Sequence, residues 1–251
     1  YTGSFTVPTA PFTASMSANP FGGSNTAAAT ATLLLNFTNA GIIDSTSKND
    51  LQTVGDAQIS TAVVKYGSGS LKFDGTSDAL YITPNPNTSL GQSKTIEGWF
   101  YFNSVNAGTG GALVSTYDYY SSTEFGWQLW LTGAAKLNFT AFGNGGSYSG
   151  NNNLINITGA TTITTGQWYH IAFVKNGNSG VIYLNGVPDV SGSFTNTNTE
   201  SRRLGIGVSF TANGTLTGYI PSSYVDDLRI TNGVARYTSN FVPPKVAFSN
   251  Q

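Results

Sequence analysis

The feature that most constrains this chain is a recurring two-residue alternation of apolar and polar side chains, interrupted at short intervals by Gly, Asn, Asp and Pro. Successive side chains of a strand point to opposite faces, so such a run fits a strand with one face buried; a helix needs an apolar repeat of 3.6 residues. Gln167-Trp168-Tyr169-His170-Ile171-Ala172-Phe173-Val174-Lys175 is the strongest run. Others are Leu33-Leu34-Leu35-Asn36-Phe37, Ser70-Leu71-Lys72-Phe73, Thr95-Ile96-Glu97-Gly98-Trp99-Phe100-Tyr101-Phe102 and Phe125-Gly126-Trp127-Gln128-Leu129-Trp130-Leu131. Lys136-Leu137-Asn138-Phe139-Thr140, Val181-Ile182-Tyr183-Leu184, Leu204-Gly205-Ile206 and Val225-Asp226-Asp227-Leu228-Arg229-Ile230-Thr231 continue the series. No segment sustains a helical period. About a dozen short strands spaced roughly 8–20 residues apart predict an all-β fold, an antiparallel two-sheet sandwich. Asp74-Gly75 reads as the turn of a hairpin that returns through Ala79-Leu80-Tyr81-Ile82. Asn185-Gly186 supplies the positive φ angles of a tight type I′ hairpin.

Composition removes several functions. Charged residues are 9% of the 251, and 11 Lys and Arg against 12 Asp and Glu give a net charge of −1. Such a chain has no basic patch for nucleic-acid phosphates and no polybasic anchor for a membrane surface. Its apolar runs are far short of a membrane span, so neither nucleic acid nor membrane insertion is expected. With no cysteine, disulfides and thiolate sites are excluded. One histidine, His170, cannot build a Ser/His/Asp triad or a two-histidine metal site; alternation places it with Trp168, Ala172 and Val174 on a core strand. The glutamates Glu97, Glu124 and Glu200 are isolated in sequence, whereas a glycosidase needs two carboxyls facing one bond. The chain is therefore expected not to be an enzyme, and a polysaccharide-active enzyme is a distant alternative.

Two acidic groups attract attention. In the strand Val225–Thr231, alternation groups Asp226 with Leu228 and Ile230, and Asp227 with Val225 and Arg229, so Asp227 is expected to pair with Arg229. Asp226, on the apolar face, needs a cation or several donors, because an unpaired buried carboxylate costs several kcal/mol. Calcium is one solution; backbone amides or a lysine are the other. Asp74-Gly75-x-x-Asp78 lacks the spaced ligands of an EF-hand loop and reads as a solvated turn. For a glycan, aromatic loop residues offer ring faces to sugar C–H surfaces while Asn and Asp hold hydroxyls. The candidates are Tyr117, Asp118, Tyr119 and Tyr120, with Trp130 and the loop carrying Tyr148 as neighbours. Five Asn-x-Ser/Thr sequons, at Asn36, Asn87, Asn138, Asn156 and Asn213, follow from the abundance of Asn and Thr.

The ends of the chain echo each other. Tyr1-Thr2-Gly3-Ser4-Phe5 through Pro8 to Phe12 aligns with Tyr237-Thr238-Ser239-Asn240-Phe241 through Pro244 to Phe248 at a constant offset of 236, with five identities in twelve. Residues 1–12 thus read as the exit segment of a preceding repeat, 13–31 as a Gly/Ala/Thr-rich linker, 32–236 as the domain and 237–251 as its own Pro-containing exit segment. Other copies or repeats of the same module are the expected partners.

Taken in order, Ser70–Gly75, Thr95–Trp99, Gln167–Phe173, Tyr183–Gly186 and Val225–Ile230 resemble laminin-G-like domains of the concanavalin A-like lectin/glucanase superfamily. The resemblance implies a jelly roll of two antiparallel sheets. It also implies that calcium could be held by an aspartate of the last strand, here Asp226, with backbone carbonyls. Arg236-Tyr237-Thr238-Ser239-Asn240-Phe241 with its prolines resembles the end of such modules in bacteriophage structural proteins and bacterial surface proteins. The function so implied is a non-catalytic decoration or fibre module on a virion surface that contacts host cell-surface polysaccharide. A repeat module of an extracellular bacterial adhesin is the alternative.

Overall fold

A computed structural model describes residues 31–37, 41–105, 108–119, 124–143, 153–196, 200–211 and 213–249, with the backbone alone for Tyr119, Glu124 and Phe125. In chain order the strands begin with β1 (Leu33–Leu35), β2 (Gln52–Val54), β3 (Gln58–Ser60), β4 (Ser70–Phe73), β5 (Ala79–Ile82), β6 (Ser93–Phe102), β7 (Gly111–Ser115), β8 (Asp118–Tyr119), β9 (Glu124–Phe125) and β10 (Trp127–Leu131). They continue with β11 (Lys136–Phe142), β12 (Asn153–Thr162), β13 (Trp168–Asn176), β14 (Ser179–Leu184), β15 (Val187–Ser193), β16 (Leu204–Ile206), β17 (Ser209–Thr211), β18 (Leu216–Thr217) and β19 (Ser223–Asn232). One sheet runs β15-β14-β13-β6-β19-β4-β3 with β1 added beside β19; a second runs β12-β11-β10-β7-β16-β5-β2. The two form an antiparallel jelly-roll sandwich. A four-stranded sheet, β18-β17-β8-β9, lies apart and buries Val208 and Phe210 against Ala79 and Tyr81.

Alternation explains the core. On β11, Leu137, Phe139 and Ala141 enter the space between the sheets, and on β13 Tyr169, Ile171 and Phe173 do so from the other side. Phe139 and Phe173 stack across the sandwich at 3.5 Å between ring centroids. Every side chain on β13 from Tyr169 to Lys175 is nevertheless buried, because its second face is covered too. Ala172, Val174 and Tyr183 form another apolar cluster with Ala235, Tyr237 and Phe241. The segment after β19 folds back over the outer face of the eight-stranded sheet as a strap and ends with Phe248 packed on Leu34 and Ala31. Such a third layer makes a strand read as continuously apolar.

The β14–β15 hairpin turns at Asn185 and Gly186 with φ of 51° and 82°, as expected. Gly186 has a second duty. Its carbonyl accepts the Phe241 amide at 2.9 Å, and a Cβ at Gly186 would stand 1.9 Å from the Phe241 carbonyl oxygen, so only glycine lets the strap seat.

Two sequence expectations are corrected. β4 and β5 do not pair with each other: β4 joins β19 and β3, while β5 joins β16 and β2. The Asp74-Gly75 turn therefore carries the chain from one sheet to the other. In β19, alternation fails at Asp226–Arg229, where the register against β6 shifts and Asp227 adopts a φ of 51°. This bulge puts Val225, Leu228 and Ile230 in the core and turns Asp226 and Arg229 outward opposite Trp99 and Glu97. An extra residue in a strand resets its facing in this way.

Candidate ligand-binding surface

Residues 117–118 leave β7 and enter the small sheet. The Tyr117 carbonyl accepts the Phe210 amide at 3.1 Å, and its half-buried ring lies 5.3 Å from Phe142. Asp118 points into an open cleft of about 420 Å³ lined by Pro84, Glu200, Ser201, Arg202 and Arg203. Arg202 bridges the cleft's two carboxylates, 3.0 Å from Asp118 and 2.9 Å from Glu200. These side chains keep about a fifth to a quarter of their surface in solvent, so the charges are reachable. Arg203 lies over the Phe210 ring at 4.7 Å and the Tyr81 ring at 5.7 Å, which holds its guanidinium on the small-sheet wall by cation–π attraction. A cleft that offers carboxylate acceptors beside guanidinium donors can satisfy both lone pairs and protons of sugar hydroxyls. Tyr119 completes β8; its side chain, Tyr120 and Tyr148 lie outside the described residues.

Trp130 belongs to a different place. It pairs with Ala112 at the far end of β7, five residues from Tyr117, a separation of about 17 Å along a strand. On that face Trp130 Nε1 donates to Asn138 Oδ1 at 2.7 Å. Asn138 Nδ2 donates to Asn156 Oδ1 and Thr158 Oγ1, and Thr140 Oγ1 donates to Asn138 Oδ1. The Asn-x-Thr sequons at Asn138 and Asn156 are thus rungs of an amide–hydroxyl ladder, since strand alternation puts Asn and Thr of each triplet on one face. The Asn138 amide is spent in this ladder and buried.

Under the strap lies a buried ionic cluster. Glu97 is fully enclosed; Arg229 donates to its Oε1 through Nε at 3.0 Å and Nη2 at 2.8 Å, and the Tyr237 hydroxyl donates to Oε2 at 2.7 Å. His170 Nε2 stands 3.4 Å from Oε2 and Arg236 Nε 3.9 Å from Oε1. Burial pushes the Glu97 carboxyl up, but the Arg229 charge, with His170 and Tyr237, overrides it and holds the group at about 2. Burial also raises the Tyr237 hydroxyl, reinforced by the Glu97 charge. Arg229 further stacks on Phe248 at 3.9 Å. Sequence reading had Arg229 beside Asp227; the bulge gives it to Glu97 instead.

Asp226 and Asp227 are buried but differently served. Asp226 Oδ2 accepts the amides of Lys65 and Tyr66, each at 3.0 Å, while Oδ1 has no hydrogen-bond partner among the described residues. Asp227 accepts from Asn36 Nδ2 at 2.5 Å and from the Phe248 amide at 2.7 Å. Burial raises both carboxyls, Asp226 to about 7 and Asp227 to about 6. Calcium needs six to eight oxygens. Asp226 offers one oxygen that the amides do not hold, with the Lys65 cation close by. Three other carboxylates converge, Asp56, Asp74 and Asp78, with one oxygen each within 4.8 Å of the others, and they could hold a metal ion. Asp74 also accepts the amides of Thr76 and Ser77, and the buried Asp78 accepts those of Asp56 and Asp74.

The sequence reading missed Glu200, Arg202 and Arg203. Glu200-Ser201-Arg202-Arg203 places three charges in four residues of a chain that is only 9% charged, and that density was the available signal.

The two large antiparallel sheets form a jelly roll that carries an open polar cleft. The profile of the laminin G group in the concanavalin A-like lectin/glucanases superfamily matches residues 74–236, more than half of the sequence, and the chain belongs to that family. No curated protein matches it. Among solved structures, botulinum neurotoxin type C, which enters cells through interaction with two ganglioside molecules, superposes with a TM-score of 0.59 at 14% identity over 88% of this chain and 49% of that one. Domain 4 of the extracellular arabinanase AbnA from Geobacillus stearothermophilus, in complex with arabinotriose, gives 0.58 at 18% identity over 82% of this chain and 94% of that one. The binding domain of botulinum neurotoxin serotype D gives 0.58 at 12% identity over 88% and 49%. The chain spans about half the length of the toxin chains. These likenesses establish the fold.

Proposed function

We propose that this domain is a non-catalytic glycan-recognising module, displayed on a virion fibre or decoration surface, that contacts cell-surface polysaccharide. The observation that carries the reading is the cleft lined by Asp118, Glu200, Arg202 and Arg203. The gangliosides and arabinotriose associated with structural neighbours support it by analogy of fold. The absence of catalysis is argued from the carboxyls: Glu97 is sealed in its ionic cluster and Glu200 is bound to Arg202. Placement on a virion rests on the resemblance of Arg236–Phe241 to phage modules; detecting the chain on purified particles separates it from an adhesin.

An oligosaccharide array carrying sialylated, arabinose-containing and neutral glycans tests recognition. The intact protein is expected to retain at least one glycan class. Arg202→Ala, which removes the bridge between two carboxylates, is expected to weaken it at least tenfold, about 1.4 kcal/mol. Trp130→Ala, on the separate ladder face, leaves it unchanged. Array-wide silence counts against the reading.

Calcium enters the proposal at Asp56, Asp74 and Asp78. Bound metal would raise the melting midpoint by mass action, so a chelator is expected to lower it in the intact protein and not in Asp78→Asn. An identical midpoint with and without chelator removes the metal.

A further inference from the structure

The two guanidiniums of the cleft are in different circumstances. Arg202 meets Glu200 Oε2 through Nε and Nη2 at 2.9 Å each, and Asp118 Oδ2 through Nη1 at 3.0 Å. Two carboxylates answer its charge. Arg203, the next residue, lines the same cleft, yet among the described residues no carboxylate stands within ion-pair distance of it. The one hydrogen bond of its guanidinium there runs from Nη1 to the Gly214 carbonyl at 3.3 Å. Most of the N–H donors of its fork are therefore open to a ligand.

The Arg203 head is nevertheless held in place. Its central carbon lies 4.7 Å from the Phe210 ring centroid and 5.7 Å from that of Tyr81, and the two rings meet edge-on at 6.4 Å. Phe210 is wholly buried, so cation–π attraction sets the guanidinium against a fixed wall. The turn at Gly214 approaches the same head. Its φ is 76°, and a Cβ there would stand 2.7 Å from Arg203 Nη2, so glycine is what lets the turn come this close.

An ordered fork loses little freedom on binding, and its best partner is the pair of coplanar oxygens of a carboxylate, met by two parallel N–H bonds. The neighbouring groups limit the charge of that partner. Asp118 and Glu200 balance Arg202 and Arg203 in formal charge, so a doubly charged phosphate would meet twice the repulsion from the two carboxylates that a single negative charge meets. The hydroxyls of a sugar carrying one carboxylate would find acceptors in the oxygens of Asp118 and Glu200.

From this we infer that the cleft takes an acidic sugar, one that bears a carboxylate as uronic and sialic residues do, and that Arg203 receives that carboxylate. The inference rests on the glycan reading of the cleft and narrows it to one chemical class. Arg203 sets the charge specificity, while Arg202 fixes the two acidic side chains that accept from hydroxyls.

Paired glycans test the assignment on the intact chain. Sialylated and uronate-bearing oligosaccharides are presented beside the same molecules with each carboxyl reduced to the alcohol, and sulfated neutral oligosaccharides form a third set. The parent protein should hold the acid member of at least one pair about tenfold more tightly than its alcohol. Arg203→Gln should bring that ratio to about one, and Arg203→Lys, which keeps the charge without the fork, should leave it in between. Arg202→Ala should weaken both members and preserve the ratio. A partial folding defect lowers both members alike and leaves the ratio as it was. Equal retention of acid and alcohol by the parent, or a preference for the sulfated set, overturns the inference while the glycan reading stands. Discrimination that survives in Arg203→Gln overturns the role of Arg203. Silence across all three sets removes the glycan reading and this inference with it.

Discussion

Glu97→Ala is expected to be the most damaging single substitution under the strap, costing about 3–5 kcal/mol, because removing one partner of a buried ion pair strands the other. Arg229 would lose two hydrogen bonds and Tyr237 one, all enclosed between sheet and strap. At roughly 2–4 °C per kcal/mol, the melting midpoint should fall by about 10 °C. Glu97→Gln keeps the shape and one acceptor and should cost less. Since Tyr237 belongs to the strap, the alanine variant should also become sensitive to proteolysis after β19. If thermal unfolding of Glu97→Ala matches the parent within 2 °C, by the same conversion, the ionic cluster does not hold the strap.

Asp226→Asn is expected to act in the opposite direction, and only at higher pH. The folded-state pKa of Asp226, about 7, lies above its ordinary value of 3.8. Its contribution is therefore fully present below about 3.8 and lost as pH rises through 7, where the carboxylate must ionise while buried. The charges around it are Lys65, which favours ionisation, and Asp227, which opposes it. Asparagine keeps an oxygen for the Lys65 and Tyr66 amides and carries no charge. At pH 8 the variant should be more stable by about 2 kcal/mol, half of the upper limit set by a three-unit shift at 1.36 kcal/mol each, because structure and solvent relax around the ion. At pH 4 the difference should vanish. Glu97 has the reverse sign: its pKa is depressed from 4.5 to about 2, so stability is lost as pH falls between those values. The parent should thus be most stable near pH 4–5 in this linkage. Urea titrations at pH 4 and pH 8 decide it; a lower stability of Asp226→Asn at pH 8 would instead mean that the carboxylate is needed there as an anion.

The sandwich was readable wherever one face of a strand meets water or a run is long. β6, β10, β11, β13, β14 and β19 all follow from alternation, and Asn185-Gly186 follows from turn chemistry. β12 escaped because Leu154 and Ile155 are adjacent apolar residues followed by Gly159, Ala160 and threonines, which blurs the period. The small sheet escaped because two- and three-residue strands carry no period at all. His170 was read as lying on a core strand and is buried, yet the layer over its face of the sheet comes from residues more than sixty positions later, such as Tyr237 and Phe241. The Glu97–Arg229 pair, 132 residues apart, depends on a one-residue bulge that alternation cannot register. For the proposed surface, sequence supplied Asp118; the proximity of Glu200, Arg202 and Arg203 is a product of topology alone. Trp130, grouped with Asp118 in sequence, is carried to another part of the same sheet.

The most direct measurement of the proposed function is chemical-shift mapping on isotopically labelled protein titrated with the oligosaccharide best retained on the array. Saturable shifts centred on the amides of Asp118, Glu200, Ser201, Arg202 and Arg203, absent in Arg202→Ala, are the expected result. Saturable shifts confined to the Trp130–Asn138–Asn156 ladder or to the strap, or none up to about 10 mM ligand, an affinity weaker than about 3 kcal/mol, would contradict it.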